Sequence, residues 1–225
     1  QAFTSRDVNG NRYGTVLDGG NIVLGSVGGP VSFETGERPS SDAYVVLRPG
    51  AVLDVSGASA TFDIMRGSGV NRSVAAVNVA SDGGQIAMRS YNGIFNEATM
   101  RAAAGGEGAS GGSFVLELES PIYIYGNNLA TFPAALGAGR VLTVYQDEIG
   151  GALSPTAQVG HVSDGLVVSQ ATISVAQIDA GGFDSVALSA RDAVAFDGDI
   201  SLSVGRSITL GEGKIVNTVG VPTGR

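Results

Sequence analysis

Val186-Ala-Leu188, Val194-Ala-Phe196, Ile200-Ser-Leu202 and Ile208-Thr-Leu210 are four short apolar triplets, each with two large apolar side chains two positions apart. Small or polar turns separate them: Ser189-Ala190-Arg191-Asp192, Asp197-Gly198-Asp199 and Ser203-Val204-Gly205-Arg206. The same pairing returns from Val186 to Ile200, from Leu188 to Leu202, from Val194 to Ile208 and from Phe196 to Leu210. One strand and its turn therefore take about seven residues, and so short a strand buries its apolar face only when neighbours stack above and below it. The spacing predicts an all-β chain, built as a right-handed parallel β-helix with about 21–24 residues in each three-sided coil.

Upstream, the same period of two runs through Ile22-Val-Leu24, Val31-Ser-Phe33, Tyr44-Val-Val-Leu47, Ala51 to Val55 and Thr61 to Ile64. It continues through Ala75 to Val79, Gln85 to Met88, Gly93 to Phe95, Ala98 to Met100 and the cleanly alternating 113–119. An Ala-rich window at 96–104 favours helix locally, but it spans barely two turns before a glycine-rich run, so a strand at 98–102 is expected. Residues 1–120 read as coils with polar loops and 171–225 as regular coils. Between them, 121–170 is an irregular segment or an insertion standing off the coil. It holds Tyr123, Tyr125, Tyr145 and the sole histidine, His161.

Composition agrees with an all-β chain. The 225 residues include 35 Gly and no Trp, and glycine is costly inside a strand by roughly 0.5–1 kcal/mol, so it belongs at turns and close approaches. The formal charge is −8, from 13 basic and 21 acidic residues. With no basic cluster, nucleic acid is a poor partner, and adsorption to anionic lipid or membrane insertion is not expected. The absence of cysteine excludes disulfides, thiolate metal sites and a cysteine nucleophile. No apolar run reaches the length of a membrane-spanning helix. The first residue is Gln1 and no leader pattern is present, so the chain reads as a piece of a longer protein.

Four phrases carry a family resemblance: Leu47-Arg-Pro-Gly-Ala-Val-Leu-Asp-Val-Ser-Gly57, Asp82-Gly-Gly-Gln-Ile-Ala-Met-Arg-Ser-Tyr-Asn92, Ala180-Gly-Gly-Phe-Asp-Ser-Val-Ala-Leu-Ser-Ala190 and Asp199-Ile-Ser-Leu-Ser-Val-Gly-Arg-Ser-Ile-Thr-Leu210. They resemble the repeats of large filamentous haemagglutinin-like exoproteins exported by two-partner secretion, over about 43–119 and 171–220. The resemblance implies an interior rod segment of a secreted or cell-surface bacterial adhesin, acting in adhesion, biofilm or cell–cell contact without catalysis. It implies an outer-membrane transporter as partner during export, and glycans or proteins of host or bacterial surfaces afterwards.

Candidate chemistry is sparse. The run Gly105-Gly-Glu-Gly-Ala-Ser-Gly-Gly112 lacks the Lys-Ser/Thr ending of a phosphate loop, and it lacks the tandem Asp of a calcium-binding nonapeptide array. Asp192, Asp197 and Asp199 are a more serious trio: a carboxylate pair such as Asp197 and Asp199 on a β-helix face can hold Ca²⁺ or act as acid and base, yet Asp-Gly-Asp is also ordinary turn chemistry. Glu97 with Asp82, and Asp54 with Asp63, are further pairs whose convergence depends on register. His161 has no nucleophile elbow near it. No catalytic residue, metal ligand or cofactor is therefore assigned. Tyr123 and Tyr125 alternate on one strand face, and with Tyr145 they are the expected partner surface, either a stacking platform for sugar rings or cover for the wall. The alternative function is a β-helix protein that binds or degrades polysaccharide.

Overall fold

The computed structural model describes residues 1–25, 44–90, 92–118, 139–147, 169–211 and 213–217. It is dominated by strands, most of them parallel. An N-terminal antiparallel hairpin, β1 (Ala2–Arg6) and β2 (Arg12–Val16), comes first. Three strands follow, β3 (Asn21–Gly25), β4 (Val45–Leu47) and β5 (Val52–Asp54), and then a second antiparallel hairpin, β6 (Ser59–Arg66) and β7 (Ser73–Ala80). The chain then lays down β8 (Gln85–Ser90), β9 (Gly93–Asn96) and β10 (Thr99–Arg101) beside β3, β4 and β5 in the same order. Beyond them lie β11 (Gly112–Leu118), β12 (Val141–Tyr145), β13 (Gln170–Ser174), helix α1 (Val175–Gly181), β14 (Phe183–Ala190), β15 (Ala193–Asp197), β16 (Ser207–Gly211) and β17 (Lys214–Asn217).

These strands sort into three parallel sheets. The first has the order β16-β14-β11-β8-β3, the second β17-β15-β12-β13-β9-β4, and the third is β10-β5. Parallel register with a period of two puts like residues in rows. Ile22, Ile86, Phe114, Val186 and Ile208 align in one row, and Leu24, Met88, Leu116, Leu188 and Leu210 in the next. From the second sheet, Val45, Ile94, Ala171, Leu142, Val194 and Ile215 form the facing row. The central members of these rows are fully buried and make up one continuous core. Burying a Leu or Phe side chain stabilises by about 1.5–3 kcal/mol, and the rows repeat that gain at every layer.

The apolar triplets stack at a longer step than their fourteen-residue return. Val186 pairs with Ile208 and Val194 with Ile215, so a layer recurs after three strand-plus-turn units rather than two. Ile200 and Leu202 form no strand, although both pack against the core. The reason lies one layer below, where α1 occupies the place beside β10: Ala102 N–H donates to Gly181 O at 2.8 Å, and the buried Val175 and Ile178 join the core. A helix offers no ladder of hydrogen bonds for a strand to extend.

Helix α1 itself departs from the regular coils expected over 171–225. Ser174 accepts from the Gln177 N–H, and the Gln177 side chain returns to the Ser174 backbone, closing a capping box. Gly182, at φ 67°, ends the helix in the left-handed conformation. Thr61–Ile64 and Ala75–Val79, read as members of the parallel series, instead pair with each other antiparallel, as Ile64 with Ala75 and Phe62 with Val77. The short connection at 67–72 permits a hairpin and is too short for a parallel crossover. Within 121–170, β12 is seated inside the second sheet between β13 and β15, so the chain passes one strand position and then returns to fill it. The strand expected at 98–102 is present as β10. Val31-Ser-Phe33 lies outside the described residues.

Candidate functional site

A Gly-Gly doublet precedes each of three strands of the first sheet: Asp18-Gly19-Gly20-Asn21, Asp82-Gly83-Gly84-Gln85 and Ser110-Gly111-Gly112-Ser113. Backbones of successive layers meet there. A Cβ on Gly19 would overlap Val55 O, on Gly84 it would overlap Gly20 O, and on Gly112 it would overlap Gly84 O. The corner is tied by carboxylates accepting from backbone N–H groups. Asp18 Oδ1 accepts from Asp82 at 3.1 Å, Asp82 Oδ1 from Ser110 at 2.7 Å, and Asp184 Oδ2 from Gly111 at 2.8 Å.

The register then sets Asn21, Gln85, Ser113, Ser185 and Ser207 in a polar row, neighbours spaced about 4.8 Å apart as strands are. Gln85 Nε2 donates to Ser113 Oγ at 3.2 Å, and Arg206 Nη2 donates to Ser110 Oγ at 2.8 Å. Asn21, Gln85, Ser113 and Ser185 of this row, with Ser110 and Arg206, line a shallow, open groove floored by glycine backbone. Its amide and hydroxyl side chains carry both hydrogen-bond donors and acceptors. Its Ser113 and Ser110 hydroxyls are engaged as acceptors by Gln85 and Arg206.

The carboxyl groups whose acidity departs from normal lie elsewhere, and structural bonds explain them. Hydrogen bonds from the Arg12 side chain and backbone lower the Asp63 pKa to about 2. The Asp54 carboxyl is lowered chiefly by the backbone N–H of Ser56, with a further contribution from Arg101. Asp7, at the first hairpin turn, is lowered mainly by the Asn11 side chain. Burial raises the Tyr44 hydroxyl, whose ring centroid lies 6.3 Å from that of Phe95.

Tyr145 ends β12, half-buried, in register with Ser174 and Asp197 and beside Asn96, Glu97 and Gln177. Tyr123, Tyr125 and His161 lie outside the described residues. Asp192 accepts from Arg140 N–H at 2.6 Å, which makes it a turn clamp. Asp197 ends β15, while Asp199 follows Gly198, whose φ of 93° is the backbone a turn requires. Among the described residues no three acidic or histidine side chains gather as a metal site. Glu97 and Asp82 sit at different clefts, and Asp54 and Asp63 are each engaged by a different arginine. The glycine run 105–112 contributes Ser110 to the groove. The groove itself escaped the sequence reading, although the Gly-Gly doublet recurring before Ile22, Ile86 and Phe114 marks it.

Compared with protein-family models, with curated proteins and with solved structures, the chain finds no match.

Proposed function

We propose that this chain is a rod segment of a secreted or surface-exposed bacterial exoprotein of the filamentous haemagglutinin-like kind, coiled as a right-handed parallel β-helix. It serves as a spacer and a contact surface in adhesion, and it catalyses nothing. The observation that carries the reading is the parallel register itself. Strands β8, β9 and β10 revisit the sheets of β3, β4 and β5 in the same order, and in the last layer Val186 stacks on Ile208 and Val194 on Ile215, a step that fits a coil of about 21–24 residues. The carboxylates support a structural role, since Asp18, Asp82, Asp184 and Asp192 are spent on backbone N–H groups and Asp63 on an arginine. Export through a two-partner outer-membrane transporter, and binding to surface glycans or proteins, belong to the same reading.

A second reading, polysaccharide binding, is favoured by the polar groove along Asn21, Gln85 and Ser113. One experiment separates them. Beads coated with the purified chain are scored for adherence to bacterial and epithelial surfaces. In parallel the chain is incubated with neutral and acidic polysaccharides, with and without Ca²⁺. Adherence above that of albumin-coated beads, with no product formed, is the expected result. Product that disappears in Asp197→Asn or Asp199→Asn would overturn the non-catalytic reading. Polysaccharide retention lost in Gln85→Ala, or in Tyr123→Ala with Tyr125→Ala, moves the function to glycan binding.

A further inference from the structure

The hairpin β6–β7 is rooted in the body and reaches out of it. At its base Ser81 N–H donates to Ala58 O at 2.9 Å, Gly105 N–H donates to Ser81 O at 2.9 Å, and the Ser81 hydroxyl donates to Leu17 O at 2.8 Å. Beyond that root it packs mainly on β1 and β2. Its eight-residue strands carry the tip about 25 Å from the root at roughly 3.4 Å per residue. The tip is a short 3₁₀ turn, Gly69–Asn71, closed by Gly67 and Gly69 at φ 80° and 61° and by Asn71 N–H on Ser68 O.

The tip is apolar where a solvated turn is normally polar. Val70 is wholly exposed, and the directly paired Met65 and Val74 are 62% and 53% exposed. Between Ile64 and Val74 stand two arginines, Arg66 and Arg72, and no acidic residue. Among the described residues neither arginine forms an ion pair, and the nearby Asp63 is held by Arg12. An exposed apolar apex with a basic collar is the arrangement that inserts into the boundary of an anionic bilayer while its cations meet headgroups.

The chain's overall −8 argues against such contact only if that charge is felt at the tip. Screening length at physiological ionic strength is about 8 Å, a third of the hairpin's reach, so the local charge decides. We propose that the β6–β7 tip is a docking element for anionic lipid surfaces, with Val70 and Met65 inserting and Arg66 and Arg72 binding headgroups. This does not rest on the adhesin reading.

The chain has no tryptophan, so Val70→Trp makes a single-site reporter. The full 225-residue chain is mixed with vesicles of phosphatidylcholine containing about a third phosphatidylglycerol, with pure phosphatidylcholine vesicles, and with an acidic protein surface free of lipid. Expected are a blue shift of the reporter with anionic vesicles and its absence with neutral ones. Cosedimentation of the unlabelled chain should fall about fivefold for each of Arg66→Gln and Arg72→Gln, and further for Val70→Asp. Each variant is checked for unchanged circular dichroism, since all these positions are exposed. No cosedimentation, cosedimentation indifferent to the tip variants, or tip-dependent binding to the acidic protein surface alone would each overturn the proposal.

Discussion

Arg12 grips Asp63 at two points, Nε to Oδ2 at 3.1 Å and Nη2 to Oδ1 at 2.8 Å, while the Arg12 backbone N–H donates to the same carboxylate at 2.7 Å. This is the polar tie between β2 and β6, and so between the N-terminal hairpin and the one that carries the apolar tip. Bidentate, charge-assisted pairs are the strong members of their class. The arrangement holds the Asp63 carboxyl at about 2 in the fold, against about 3.9 for an unfolded chain. A depressed carboxyl stabilises the fold above its unfolded value, and the contribution fades as pH falls from about 4 toward 2. Amide exchange in 2–6 and 12–16 should therefore quicken across that window, before exchange in β11 and β14 changes. Asp63→Asn should show the same selective loss of protection at neutral pH. Equal protection of β2 in the variant and the parent would refute the tie.

Neighbouring glycines Gly19 and Gly20 predict opposite outcomes for one substitution. A Cβ at Gly19 would overlap Val55 O, and backbone cannot step aside as a side chain can. At Gly20 nothing lies within 4 Å, and its φ is outside the left-handed region. Gly19→Ala should cost about 2–3 kcal/mol, in the range of core overpacking, whereas Gly20→Ala should be neutral or slightly stabilising through the unfolded chain. Urea denaturation of the two variants decides the matter, and equal midpoints would show that the corner has room to relax.

The strand pattern and the parallel stacking were readable in advance, while which strands pair, and at what step, was not. Alternation in 113–119 reports which face is buried, as 113–118 shows, because a strand's side chains alternate whatever its partner. Whether a partner lies fourteen or twenty-two residues away, or runs antiparallel as β7 does to β6, is a tertiary choice between patterns that look alike. Helix α1 had a visible signal in Ser174-x-x-Gln177 and Gly181-Gly182, overshadowed by the β-rich run before it. The groove needed both register and the doublet glycines, and the register of distant layers is not written in any one stretch. Tyr145 emerged as the end of a sheet strand, and Asp192 as a clamp on Arg140.

Leu116 lies between Met88 and Leu188 in the buried row, with no exposed surface. Leu116→Ala should cost about 2–5 kcal/mol, since rigid layers above and below limit collapse of the cavity. Val115, one residue earlier, faces the opposite side and is only partly buried. Val115→Ala should cost under about 1 kcal/mol. If the two losses of thermal stability matched, the assignment of the inward face would be wrong.

The Gln177 side chain does two jobs. It accepts from Ser174 N–H at 3.3 Å in the capping box, and its Nε2 donates to Asn96 O at 3.0 Å on the adjacent layer. Ser174→Ala removes one cap, worth about 1 kcal/mol. Gln177→Ala removes the reciprocal bond and strands a carbonyl of β9, adding about 1 kcal/mol more. Helix α1 replaces a third-sheet strand, so its loosening should reach β10 through Ala102, and faster exchange of the Ala102 amide should accompany Gln177→Ala. Identical stabilities for the two variants would show that the bond to Asn96 contributes nothing.

Ser169 is the one non-glycine among the described residues with positive φ, at 69°, and it is fully buried. Its backbone is pinned on both sides, since its N–H donates to Asn92 O at 2.7 Å and its carbonyl accepts from Val141 N–H at 3.1 Å. The left-handed conformation is therefore imposed by the pairing of β12 with β13 and is not chosen by the residue. Its Oγ meets no partner among the described residues. Glycine adopts this conformation without a Cβ penalty, so Ser169→Gly should relieve strain of about 1–3 kcal/mol. It also removes a buried hydroxyl. Against this stands the greater freedom of glycine in the unfolded chain, of similar size to the lower end of that gain. The net expectation is a small rise in melting temperature of Ser169→Gly, while Ser169→Val, which keeps a Cβ and adds branching, lowers it. A fall with glycine equal to that with valine would mean that the hydroxyl, and not the backbone angle, holds this junction.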